Sequence, residues 1–91
     1  MAIGRLWEAD ADAGFVRRLG RSPQELGLTS GSESCPDIWE MDNGDVAVIG
    51  RDVTALVAER LPEGVSVGPD ERLVIIPRSL LAAAKPDMPD A

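Results

Sequence analysis

Residues 38–49 read Ile38-Trp39-Glu40-Met41-Asp42-Asn43-Gly44-Asp45-Val46-Ala47-Val48-Ile49. Two short apolar runs flank Asn43-Gly44, the dipeptide that best tolerates the two positive φ angles of a type I′ turn. The stretch predicts a β-hairpin in which Met41 faces Val46, Trp39 faces Val48 and Ile38 faces Ile49. Because side chains alternate along a strand, Trp39, Met41, Val46 and Val48 then share one face, expected to be the core face. Glu40 and Ala47 fall on the other face, with Ile38 and Ile49 half covered.

On the C-terminal side, Asp52 and Thr54 are good helix caps. Val53, Leu56, Val57, Arg60 and Leu61 follow at helical spacing until Pro62-Glu63-Gly64 ends the run. Residues 65–71 form a turn-rich connection. Leu73-Val74-Ile75-Ile76 is a continuous apolar run, expected to be the central strand of the sheet. Pro77-Arg78-Ser79 leads into a short helix over residues 80–84, which Lys85-Pro86 stops; residues 85–91, with Pro86 and Pro89, are expected to form an extended tail.

On the N-terminal side, Trp7, Ala11, Phe15 and Leu19 recur every four residues with Leu6 and Val16 beside them. That spacing predicts a helix, shortened by Gly14 if it begins only at Asp12, and stopped by Gly20. Ser22-Pro23-Gln24-Glu25 has the pattern of a capping box, with proline at the first helical position. It opens a turn or two carrying Leu26 and Leu28. Residues 29–36 are expected to be a flexible surface joint.

Sixteen acidic against nine basic residues give the 91-residue chain a net charge of −7. This repels phosphate backbones, so nucleic acid is not expected as a partner. Arg17-Arg18-Leu19-Gly20-Arg21-Ser22-Pro23 resembles the turn of helix-turn-helix proteins of the arabinose-regulator type, but Gly27 truncates the helix that would enter the groove. A membrane span is excluded because no apolar run approaches the ~18 residues it requires. Met1–Glu8 turns charged too early for a signal peptide, and the single cysteine cannot close an internal disulfide, so the chain is read as cytoplasmic.

Chemistry-bearing residues are few. Cys35 has no histidine anywhere in the chain to activate it, and reads as an inert thiol. Glu8-x-Asp10-x-Asp12 lacks the glycine and glutamate positions of a calcium loop, so no metal is expected. No cofactor is expected either. Arg51 and Arg78 each lie just beyond a predicted strand end, where anions and small ligands tend to bind.

Cys35-Pro36-Asp37-Ile38-Trp39-Glu40, Asn43-Gly44-Asp45, Ala47-Val48-Ile49-Gly50, Gly68-Pro69-Asp70-Glu71-Arg72 and Ala83-Ala84-Lys85-Pro86-Asp87 resemble a family of small actinobacterial proteins. The resemblance implies a bacterial setting and a domain that stands alone. It implies no reaction, cofactor or partner.

The expected fold is a single α+β domain over residues 1–91 with the order α(α)ββαβα. Its largely antiparallel three-stranded sheet comprises the hairpin and residues 72–76, with helices on one face. The uncovered face would carry Ile38, Ala47 and Ile49, and the leading functional expectation is homodimerisation or binding of a protein partner there, or through an exposed edge strand. An anion or small-ligand site near Arg51 and Arg78 is the alternative. An enzyme of unknown type ranks third.

Overall fold

A computed structural model describes residues 6–30 and 35–89; residues 31–34 of the expected joint and residues 90–91 of the expected tail lie outside them. The chain is α+β. A three-stranded antiparallel sheet is built from β1 (Phe15–Arg18), β2 (Asp37–Met41) and β3 (Val46–Ile49), with β2 in the centre. A separate two-stranded ladder pairs β4 (Arg51–Asp52) with β5 (Val74–Ile75). Among the described residues two helices complete the fold. They are α1 (Thr54–Val57), continued by a 3₁₀ turn over Ala58–Arg60, and α2 (Arg78–Ala84), continued by a 3₁₀ turn over Lys85–Asp87.

The hairpin forms where expected, but its turn is different. Gly44 takes φ +91°, whereas among the described residues none other than glycine has a positive φ, so Asn43 cannot belong to a type I′ turn. The Gly44 N–H donates to the Met41 carbonyl at 3.0 Å and the Met41 N–H to the Asp45 carbonyl at 2.9 Å. This is a three-residue loop with glycine at the bulge. The extra residue shifts the pairing by one, so that Asp37 faces Ile49, Ile38 faces Val48, Trp39 faces Ala47 and Glu40 faces Val46.

A one-residue shift moves the whole β3 set to the other face relative to β2. The expected core set of Trp39, Met41, Val46 and Val48 is thereby split. Ile38, not Trp39, enters the core at 1% exposure, with Leu19, Leu80 and Ala84 buried around it. Leu26, Leu28, Ile76 and Met88 close over this cluster, and α2 is the helix that packs on β2. Gly44→Val is expected to cost about 1–2 kcal/mol, because a Cβ there meets nothing within 4 Å and only the strained backbone opposes it. Thermal melts against Glu40→Ala check this; equal destabilisation would contradict the positive-φ requirement.

The expected first helix is replaced by an irregular segment followed by β1. The fourfold recurrence of Trp7, Ala11, Phe15 and Leu19 is real, but Leu6, Trp7 and Phe15 are exposed, so no helical stripe is buried. Strand pairing wins over local spacing here because β1 satisfies one edge of β2 and sets two arginines beside two acids. Arg17 donates to Glu40 at 2.7 Å, and Arg18 to Asp37. β1, at an edge, is thus the third strand of the sheet; residues 72–76, expected at its centre, contribute only Val74–Ile75, which pair with β4 in the separate ladder.

The capping box is formed. The Glu25 N–H donates to Ser22 Oγ at 3.1 Å and the Ser22 N–H to Glu25 Oε1 at 3.0 Å. These bonds lower the pKa of the Glu25 carboxyl below its ordinary 4.5. The segment makes only a single turn, however, closed by Gly27 at φ +72°. The expected extended tail is also corrected, since residues 85–87 form a 3₁₀ turn and Met88 packs on the core. Asp87 accepts from the Gly20 N–H at 2.8 Å, and its carbonyl accepts from Arg17 at 2.8 Å. Polar groups hold this segment against β1, which proline spacing does not reveal.

Candidate interaction surface

Alternation along β2 sends Asp37, Trp39 and Met41 to the side opposite Ile38. The pairing partners of these residues, Ile49, Ala47, Arg18 and Phe15, come with them. α2 covers the Ile38 side, so this second side is the open face of the sheet.

Its anchor is an ion pair. Arg18 grips Asp37 in a two-pronged fork, with Nε 2.9 Å from Oδ1 and Nη2 2.9 Å from Oδ2. Asp37 is 1% exposed and also accepts from the Ile38 N–H at 3.1 Å. A buried carboxylate needs such pairing to offset its lost hydration. The Arg18 side chain keeps 32% of its surface exposed. Its hydrogen bond to Asp37 raises its pKa above the ordinary arginine value, against the opposing effect of burial.

The same guanidinium lies over the Trp39 ring, 5.0 Å from its centroid, a cation–π arrangement. The Phe15 ring meets Trp39 edge-on, at 6.0 Å and 87°, the favoured geometry for aromatic pairs. Trp39 is half-buried by these neighbours, whereas Phe15 is 64% exposed and Ile49 46%. At the hairpin end, Trp7 and Asp10 face Met41, Asp45 and Ala47 across a groove of about 230 Å³.

Of the expected interface residues, Ala47 and Ile49 lie on this open face and Ile38 does not. The register shift buries Ile38 in the core, so it is withdrawn from the surface. Arg51 lies on β4 opposite Ile75, and Arg78 is the first residue of α2. Both are exposed. Arg78 borders a shallow pocket of about 420 Å³ with Lys85, Leu81 and Met88, and Arg51 is not among its walls. Asp52, named above as a helix cap, accepts from the Thr54 N–H at 3.0 Å and hydroxyl at 2.7 Å. These bonds lower its pKa below 3.8.

Phe15 and Arg18 fall inside the helical spacing and Trp39 on the expected core face, so the three do not stand out together in the sequence. One signal was available: Arg17-Arg18 answers Asp37 and Glu40 in the reversed order that an antiparallel pair requires. Cys35 is an exposed free thiol. Among the described residues no group of three or more histidine, cysteine or carboxylate side chains is placed to hold a metal. Among them, too, no helix is long and apolar enough to cross a membrane. No protein-family model, curated protein or solved structure matches the chain.

Proposed function

We propose that the protein is a binding module that takes a protein partner on the open face of its three-stranded sheet. The observation that carries this reading is the exposed Phe15 ring, held edge-on to a Trp39 that Arg18 braces from below. Aromatic and arginine side chains dominate the energetics of protein interfaces, and a pre-ordered cluster loses little freedom on binding. The small core points the same way. Among the described residues Leu19, Ile38, Leu80 and Ala84 make up the buried apolar set, so much apolar surface stays outside. With Asp10 and Asp45 on the rim and a charge of −7 overall, the surface suits a partner that is apolar at its centre and basic around it.

Phe15→Ser is expected to abolish capture of the partner from extracts of the native host while leaving the melting temperature within a few degrees. Leu56→Ser, at an equally exposed site on α1, should capture as wild type does. Equal capture by all three proteins, or loss with Leu56→Ser alone, would refute the assignment of this face.

A further inference from the structure

We infer that two copies of the chain also join edge to edge through β3, antiparallel and centred on Val48. This inference concerns the edge of the sheet, which shares Asp45 with the rim of the face assigned above but not the aromatic cluster that carries that assignment. β3 ends the strand order of its sheet. In an antiparallel ladder alternate residues turn their backbone groups inward and outward. The bond from Met41 to Asp45 places odd-numbered β3 residues inward, so Val46 and Val48 direct their N–H and C=O groups to the free edge. Among the described residues these outward groups meet no backbone partner. β4 continues the pattern, since the Val53 N–H is bonded to Leu73 on the β5 side.

Natural edge strands are usually guarded by lysine, proline or a bulge within the strand. Residues 46–49 contain none of these, and Val46 and Val48 are 41% and 44% exposed. What selects a second copy as the occupant is charge. Asp45 lies three residues before Val48 and Arg51 three residues after it. Antiparallel pairing on Val48 sets Asp45 of each copy opposite Arg51 of the other, twice by symmetry. The same register sets Ile49 against the small Ala47 on the open face, and Val46 opposite Gly50, where the Ile75 backbone already fills the space beside the glycine. Arg51 makes no ion pair among the described residues and is free to take this one. The product is a continuous six-stranded sheet that carries two copies of the aromatic face side by side.

The contact is short, well below the ~1,600 Å² of a standard interface, so a dissociation constant on the order of tens of micromolar is expected. Sedimentation equilibrium of the full chain from about 10 µM to about 500 µM should show a concentration-dependent approach to twice the 9.7 kDa monomer mass. Val48→Pro removes an outward N–H and leaves the bonds to β2 intact, so it should give a monomer with an unchanged circular dichroism spectrum. Asp45→Arg and Arg51→Asp should each weaken association by about tenfold, because each sets like charges opposite one another twice. The double swap should restore it. A monomer throughout the range overturns the inference, as does a dimer indifferent to Val48→Pro or a double swap that fails to recover. Phe15→Ser should leave the dimer intact, so failure of the face assignment is distinguishable from failure of the edge.

Discussion

Arg18→Met is expected to lower the melting temperature by more than about 12 °C, one of the two largest single-site effects in the molecule. The reason lies in Asp37 rather than in the arginine. Arg18 is partly in water and would lose little on its own, but its removal leaves a carboxylate at 1% exposure with the Ile38 N–H as its remaining partner among the described residues. Breaking a buried ion pair from one side costs about 3–5 kcal/mol. In a chain of this length each kcal/mol corresponds to roughly 4–8 °C. The loss of the guanidinium over Trp39 adds to the cost and loosens Phe15, coupling stability to the proposed binding face. Arg18→Met combined with Asp37→Leu should recover much of the loss, since an apolar pair of similar volume carries no stranded charge. Thermal unfolding followed by circular dichroism measures both. A single variant that melts within 2–3 °C of wild type, or a double variant no better than the single, would show that the pair does not hold β1 to β2.

The second large effect is expected at Gly20. Its φ of +84° resembles that of Gly44 at +91°, so the backbone strain of adding a side chain is similar at the two sites, about 1 kcal/mol. Their surroundings differ. A Cβ at Gly20 would lie 2.7 Å from the Ala84 nitrogen and 2.8 Å from the Ala83 carbonyl carbon, whereas at Gly44 it meets nothing within 4 Å. These contacts are backbone atoms of α2 and cannot rotate away. Gly20→Ala must therefore push α2 off Leu19 and Ile38, which are half of the buried apolar cluster. A loss of about 3 kcal/mol or more is expected for Gly20→Ala, against about 1 kcal/mol for Gly44→Ala. Denaturant midpoints for the two variants give the comparison directly. Equal losses would mean that α2 can shift without cost, and the close approach of Gly20 would then carry no stability.

The hairpin was legible because Asn43-Gly44 punctuates two apolar runs, a signal contained within a dozen residues. The capping box of Ser22 and Glu25, the start of α1 beside Asp52 and Thr54, and the short helix before Pro86 were legible for the same reason. Each rests on neighbours two to four residues apart, and such contacts form whatever the rest of the chain does. The register of the hairpin was not legible. Asn-Gly serves both a two-residue and a three-residue loop, and the choice depends on which residues of β2 find burial. Leu19, Leu80 and Ala84 settle it by drawing in Ile38.

The candidate surface was half legible. Pleating keeps Ala47 and Ile49 on one face in any register, but they share it with Trp39 rather than lying opposite it, and the packing of α2 over Ile38 is what leaves that face open. Ile38 was misplaced by the one-residue shift. Phe15 and Arg18 were hidden inside a helical spacing that is genuine in the sequence but buries nothing.

What the sequence alone determined is the set of local turns, caps and apolar runs of an α+β chain with a hairpin at its centre. What only the tertiary structure decided is how those pieces meet: β1 against β2, Asp37 beneath Arg18, Gly20 against α2. The physical reason is that partners such as Arg18 and Asp37, nineteen residues apart, or Gly20 and Asp87, sixty-seven apart, gain their energy from desolvation and close approach. Those terms exist only after the chain has folded back on itself, and no spacing along the sequence records them.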